Sequence, residues 1–401
     1  MKMRVRIVTA SWVVGLLCCL PSSNLQARRP PFALQTNTVQ TNIVVVVSSG
    51  SGQTNIVIVS DGGSTTTNES VGYAGEASAA LGSLGFMQGG SVSVAETTLL
   101  SLTGGAQEAS ELEISVGEES PMEVSHATVI GQGKVTASQA SVANVTLTSC
   151  GGFFGGGTTT ISADFVLSEA TSACSADEVT SSGSTQISGL VINGEPVSVT
   201  GQANQFVMLT GGGFVVINEQ LAGKASATAN GQTVTTEGIA VNALHVVIPC
   251  AGVNVVFGSS AAGIACGPEI NPVCGDFATG GGWITGTPSG AKANFGVAGG
   301  IKDEAFWGHL NYIDHGNGMH VKATAVTGYA VDPNDANCRI IDYDVTVDGQ
   351  PSGIARVRVC DLGEPGSSDT FEIQLSNGYY AAGVLGGGQP GGGNIQLRLC
   401  Q

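Results

Sequence analysis

The sequence predicts an all-β protein: two antiparallel β-sandwich-like domains preceded by an export signal and a β-prone repeat segment. Three observations carry that expectation. Glycine supplies 60 of 401 residues and charged residues only 11%, where ordinary domains have about 7% and 25%. Runs rich in Val, Ile and Thr are separated by Gly-rich or Asn-Gly and Asp-Gly turns. No long stretch sustains the 3.6-residue apolar stripe of a helix. Hydrophobic residues make up 42% of the chain, enough to build packed cores, so the low charge does not imply disorder.

Residues 1–27 read as a secretory signal. Lys2, Arg4 and Arg6 precede an apolar run over residues 7–20, followed by Pro21 and a polar stretch ending at Ala27. The run is short of the roughly 18–20 residues needed to cross a bilayer, so cleavage near Ala27 is expected. A lipid attachment at Cys18 or Cys19 is disfavoured by the bulky leucines before them. No other segment spans, and the C-terminus shows neither an apolar tail nor a basic stop. The expectation is therefore a secreted or cell-surface protein without a transmembrane anchor.

Residues 28–70 differ from the rest. Gln40-Thr41-Asn42-Ile43-Val44-Val45-Val46-Val47-Ser48 recurs thirteen positions later as Gln53-Thr54-Asn55-Ile56-Val57-Ile58-Val59-Ser60, with a stub at Gln35-Thr36-Asn37-Thr38-Val39. Such uncharged β-branched runs read as strands, and the two copies can pair as a hairpin. Exposed, they favour self-association. Two readings stand: a hairpin or tether docked on the next domain, or a strand given to a neighbouring molecule through residues 40–59.

Residues 71–266 form the first large domain. Short strand-like segments recur, and Asn193-Gly194 and Asn230-Gly231 each mark a tight hairpin. The best helical candidates, residues 76–84 and 168–174, are Ala- and Ser-rich and weakly periodic. Residues 267–401 form a second domain, richer in aromatics. Ile341, Tyr343, Val345 and Val347 alternate with Asp342, Asp344, Thr346 and Asp348, so one face of that strand is buried and the other wet. Asp348-Gly349 and Asn377-Gly378 predict further hairpins, giving eight or nine strands in all.

Ten cysteines are present, of which Cys18 and Cys19 leave with the signal. The even remainder suggests disulfides in an oxidising compartment. Pairing within domains predicts Cys150 with Cys174, Cys250 with Cys266, Cys338 with Cys360, and Cys274 with Cys400. Zinc is disfavoured, since none forms a C-x-x-C pair or has a histidine at ligand spacing. The net charge is −17, which makes nucleic acid and anionic membranes poor partners.

Several short motifs resemble a known family. Ala140-Ser141-Val142-Ala143-Asn144-Val145-Thr146-Leu147, Gly189-Leu190-Val191-Ile192-Asn193-Gly194, Val216-Ile217-Asn218-Glu219 and Val241-Asn242-Ala243-Leu244-His245-Val246 look like the choice-of-anchor P proteins of bacterial surfaces. Gly280-Gly281-Gly282-Trp283, Asn294-Phe295-Gly296, residues 308–315, Asp361-Leu362-Gly363-Glu364-Pro365-Gly366 and Asp369-Thr370-Phe371 resemble the domain that follows them. Together these motifs cover roughly residues 71–401. The resemblance implies a secreted or surface-displayed protein with no established reaction, and this chain departs from it in showing no anchor.

His309, His315 and His320 fall within twelve residues. A hairpin loop over residues 314–318 pairs Ile313 with Met319 and Tyr312 with His320, which sets His309 roughly 10 Å from His320 at about 3.3 Å per residue. That disfavours a three-histidine metal site, and the expectation is histidines packed on strands. His245 reads as a half-buried strand residue, and His126 has no recognisable context. Asp361, Glu364 and Asp369 share one Gly/Pro loop, where calcium, which wants six to eight oxygens, is one candidate occupant, with Asp332 or Asp335 as further donors. The competing reading is a polar turn whose acids cap backbone amides.

No G-x-S-x-G, H-E-x-x-H or phosphate-binding G-x-x-x-x-G-K motif is present, and the glycine runs precede strands rather than helices. Catalytic residues and an organic cofactor are therefore not assigned. The expected function is a non-enzymatic structural or adhesive protein that meets its own copies, or a surface polysaccharide or protein. The alternatives are a calcium-dependent or carbohydrate-binding module and a secreted hydrolase.

Overall fold

A computed structural model of the chain describes residues 44–47, 54–57, 72–84, 91–115, 121–149, 158–175, 178–229, 232–267 and 275–399. The signal assigned to residues 1–27 lies outside them, as do Cys150, Cys274 and Cys400. Strands dominate throughout, with two short 3₁₀ turns as the only helical elements among the described residues. No helix there is long and apolar enough to cross a membrane.

The repeat segment forms a hairpin of β1 (Val44–Val47) and β2 (Thr54–Val57). Val44 stands opposite Val57, its equivalent in the other repeat copy, and Val47 stands opposite Thr54.

The first domain contains β3 (Gly72–Leu84), β4 (Ser91–Glu96), β5 (Gly105–Ser115), β6 (Pro121–Gln132), β7 (Val135–Ser149), β8 (Thr159–Ser175), β9 (Glu178–Ser188), β10 (Val191–Ile192), β11 (Glu195–Pro196), β12 (Gln205–Met208), β13 (Phe214–Ala229), β14 (Gln232–Ile248) and β15 (Val253–Ala265). They make two antiparallel sheets. An outer sheet runs β12-β13-β14-β15-β3-β4; a middle sheet runs β11-β10-β8-β7-β6-β5, with β9 also bonded to β8. Val142, Val166, Ile217, Leu244, Val246 and Val255 fill the space between them, all fully buried and each contributing about 1.5–3 kcal/mol.

Both helical candidates of the sequence are strands. Residues 76–84 lie in β3 and residues 168–174 in β8. Ala77 packs against Ala127 and Ala140 where the two sheets approach closely. Sheet-to-sheet contact with small side chains overrides the helix preference of alanine.

The second domain is one nine-stranded antiparallel sheet. Its strands are β16 (Phe277–Ile284), β17 (Ala293–Lys302), β18 (Ala305–Asp314), β19 (Met319–Asp332), β20 (Asp335–Val347), β21 (Gln350–Cys360), β22 (Thr370–Leu375), β23 (Tyr380–Val384) and β24 (Gly393–Arg398), in the order β23-β22-β21-β20-β19-β18-β17-β16-β24. The sheet curls until its ends meet, with Ala382 N donating to Gly286 O at 3.1 Å. Inside the curl, Phe295 of β17 stacks on Phe371 of β22 at 3.9 Å. Ile341 and Tyr343 point into this core fully buried, as their period-two pattern predicts.

The convex face of β16–β18 lies on the free face of the middle sheet, over β5, β6 and β7. The protein is thus three sheets deep, and the middle sheet is covered on both faces. That explains why residues 136–143 of β7 are buried without alternation. Gly281 of the Gly280-Gly281-Gly282 run serves this docking, because a Cβ there would lie 2.4 Å from Ser141 Oγ, whereas Gly280 and Gly282 leave room for the neighbouring backbone at residues 392–395.

Turn chemistry was largely legible. Asn193-Gly194 and Asp348-Gly349 take positive φ and close two-residue hairpins. The Asp303-Glu304 turn does the same without glycine, at φ 49° and 65°. One register differs from the expectation: Asp314 pairs with Met319 and Ile313 with His320. The Asp314 side chain accepts the Gly316 N–H at 2.8 Å and its carbonyl accepts the Gly318 N–H at 2.8 Å, closing a four-residue loop.

Disulfide pairing also differs. Cys174, near the end of β8, bonds Cys266, just after β15, across 92 positions. This replaces the expected Cys150–Cys174 and Cys250–Cys266 bonds, because face-to-face stacking of the two sheets, rather than sequence proximity, brings the thiols together. Closing a loop of that length stabilises by about 4–5 kcal/mol in the chain-entropy account. Cys338–Cys360 forms as expected between paired strands β20 and β21. Cys250 is exposed and has no disulfide partner among the described residues.

Candidate functional site

The contact between the middle sheet and the C-terminal sheet gathers three buried titratable side chains, His126, Glu169 and His309. Four of the five histidines belong to it. In the ion pairs across it the acid comes from the first domain and the base from the second. His309 Nδ1 lies 2.6 Å from Glu108, His315 Nε2 3.4 Å from Glu123, His320 Nδ1 3.9 Å from Glu113, and Lys322 Nζ 4.0 Å from Glu111. Lys302 Nζ donates to the Ala106 carbonyl at 2.7 Å. Two apolar clusters flank the polar centre: Val124, Ala143, Phe165, Leu167 and Ile313 with Trp283 at its margin, and Ala106, Ile130 and Phe277 with Trp307.

A single chain of hydrogen bonds crosses the centre, and its direction can be derived. Glu169 of β8, 6% exposed, accepts from Gln139 Nε2 at 2.9 Å, from Ser184 Oγ at 2.9 Å and from Asn394 Nδ2 at 2.8 Å. Gln139 therefore turns its carbonyl oxygen toward His126 Nε2 at 3.3 Å, so that nitrogen donates. His126 Nδ1 is left as an acceptor and takes the N–H of His309 Nε2 at 2.7 Å. His309 Nδ1 then faces Glu108, and this last contact requires one proton between them. Burial, reinforced by His309, holds His126 well below the ordinary histidine pKa, in keeping with a neutral acceptor. Burial alone would raise the Glu108 carboxyl, but the His309 hydrogen bond and charge, with Lys322, outweigh it and leave it lowered.

The chain continues into the loop that the sequence singled out. Asn394 Nδ2 also donates to Glu364 Oε2 at 2.8 Å, and Gln396 Nε2 donates to Glu364 Oε1 at 2.8 Å. Asp369, fully buried, accepts the Leu362 and Ile395 N–H groups, each at 2.8 Å. Asp361 accepts those of Gly363 at 3.3 Å and Leu397 at 3.0 Å. Asp361, Glu364 and Asp369 thus come together along β24, where amide donors take up their oxygens. Burial pushes Asp369 up to about 6, with Asp361 and Glu364 adding to it, and Glu364 is raised by burial and by Glu169. Asp332 and Asp335 take other partners, Asp332 pairing with Arg358 at 2.5 Å and Asp335 capping Asn337 N at 3.0 Å. Among the described residues, no group of three or more His, Cys, Asp or Glu side chains is arranged to hold a metal ion.

His245 lies elsewhere, on the outer sheet, half-buried on its strand. It contacts Glu219 at 3.0 Å and Asn254 at 2.8 Å. Burial lowers its pKa, but Glu219 and Asn254 outweigh burial and leave it raised.

Sequence reasoning located the histidine cluster and the acidic loop but not their partners. Glu108, His126, Gln139, Glu169 and Asn394 come from five strands, with contacts such as Glu169 to Asn394 spanning 225 positions. The one local signal was Glu169, a carboxylate within the otherwise uncharged residues 165–175 of β8.

No family model matches the chain, and no curated protein matches it. Among solved structures, a candidate AttH of Nitrosomonas europaea is similar at 9% identity, covering 66% of this chain and 90% of that one, with a TM-score of 0.17. Kievitone hydratase of Nectria haematococca is similar at 10% identity, covering 74% of this chain and 89% of that one, also with a TM-score of 0.17. Similarity at that level carries no argument about fold or function.

Proposed function

We propose that the protein works outside the cell, secreted or at the cell surface, as a non-enzymatic structural or adhesive β-protein. One observation supports this above others: Glu108, His309, His126, Gln139, Glu169, Asn394 and Glu364 are bound to one another in a continuous chain of side-chain hydrogen bonds across two domains. Groups so engaged hold layers together. The Cys174–Cys266 and Cys338–Cys360 bonds suit an oxidising compartment. The resemblance to surface-displayed choice-of-anchor P proteins agrees with this reading.

The test is a panel of chromogenic esters and glycosides, run beside sedimentation of the protein with insoluble surface polysaccharides. The expected result is no turnover and measurable retention on a polysaccharide or on the protein itself. Glu169 and Glu364 share the Asn394 amide, which makes them the carboxylate pair to test. Hydrolysis that Glu364→Gln abolishes would overturn the proposal.

A further inference from the structure

The outer sheet has one long open edge. β12 covers only Phe214–Ile217 of β13. Over residues 218–229, β13 bonds to β14 on one side and to no described strand on the other. The direction of its main chain can be read from two contacts. Asn204 N donates to the Asn218 carbonyl at 2.8 Å, and Gln220 N donates to Asn204 Oδ1 at 3.0 Å. Even-numbered residues therefore turn their N–H and C=O groups outward, and exposed Ala222 and Lys224 come next in that series. The edge is thinly guarded. It contains no proline, and its one lysine, Lys224, is paired with Glu237 of the neighbouring strand at 2.6 Å.

The chain carries a strand suited to this edge. Residues 53–60 are uncharged and rich in Val and Ile, β2 is bonded to β1 alone among the described strands, and Cα atoms of β2 and β13 approach within 8 Å. Geometry permits the delivery. Gly72 opens β3 opposite Ala265, at the end of the sheet where Lys224 stands opposite Glu237. A strand added beyond β13 lies four spacings from β3, about 19 Å at ~4.8 Å each. Residues 58–71 extend to roughly 46 Å, more than twice that distance.

We propose that the open edge of β13 is the docking site of the chain's own repeat strand, residues 53–60, which adds to the outer sheet through main-chain hydrogen bonds at Ala222 and Lys224. The repeat hairpin is then an edge guard, and its removal uncovers a strand-accepting surface.

Amide hydrogen exchange on the full-length protein, compared with a variant lacking residues 40–59, tests this. The expected result is a monomer by sedimentation in which the Ala222 and Lys224 amides are protected, and at least a tenfold loss of that protection in the deletion variant. The deletion variant should also bind a synthetic peptide of residues 53–60. Ala222→Pro in that background should weaken peptide binding at least tenfold, because it removes an outward N–H and leaves the bonds to β14 in place. Two results would overturn the proposal: exchange at Ala222 and Lys224 unchanged by the deletion, or a full-length oligomer that the deletion turns into a monomer, which would assign the strand to a neighbouring copy.

Discussion

The two faces of the middle sheet are built from alternate residues of the same strands, yet they differ in kind. Toward the outer sheet, β7 and β8 present Val142 and Val166 to Val255 and Leu244. Toward the C-terminal sheet, the same strands present Gln139 and Glu169 to His126 and Asn394. Both faces are buried. Apolar burial is non-directional and supplies most of the stability. A directed chain of hydrogen bonds satisfies its members in one arrangement only, so the polar face sets how the second domain sits on the first.

That division can be broken by comparing substitutions on the two faces. Leu244→Ala, in the fully buried apolar layer, is expected to lower the unfolding free energy by about 3 kcal/mol, measured by chemical denaturation. Glu169→Gln places an amide among donors that require an acceptor, and is expected to cost about 2 kcal/mol. The two should also differ in optical signature. Trp283 and Trp307 both border the seam, and the third tryptophan, Trp12, lies within the predicted signal. Native-state tryptophan emission should therefore shift in Glu169→Gln and stay unchanged in Leu244→Ala. Equal shifts in both would erase the distinction between the faces.

A smaller effect sharpens the contrast through pH. Burial, with Glu96 nearby, pushes the Glu76 carboxyl up to about 7 from 4.5. The folded chain then holds a proton that the unfolded chain releases, so this group makes stability fall as pH rises from about 4.5 to 7. Glu76→Gln should flatten that fall between pH 5 and 7. His126 acts with the opposite sign: it is neutral when folded, so stability is lost as pH falls below the unfolded value of 6.5. The smallest effect belongs to the surface. Lys224→Ala removes an exposed pair with Glu237 and should change stability by less than about 0.5 kcal/mol.

Much of the fold was legible in the sequence because its signals are local. Asn193-Gly194 and Asp348-Gly349 fix their turns through backbone conformation, and Ile341 and Tyr343 declare a buried face by alternation. The seam was illegible for two physical reasons. Its partners are joined only by docking of distant sheets, as with the Cys174–Cys266 bond. A one-residue difference in the β18–β19 register also changes which face a side chain occupies. Pairing His320 with Ile313 rather than Tyr312 moves it from the interior of the curl to the side facing Glu113. The spacing of His309, His315 and His320 therefore marked a cluster without revealing that it clasps a second domain.

A double-mutant cycle on Glu108 and His309, from opposite sides of the seam, tests this clasp most directly. With Glu108→Ala, His309→Ala and the double variant measured by denaturation, the two residues should couple by about 1.5–3 kcal/mol. Additivity within about 0.5 kcal/mol would contradict it, and would mean that the polar face does not hold the domains together.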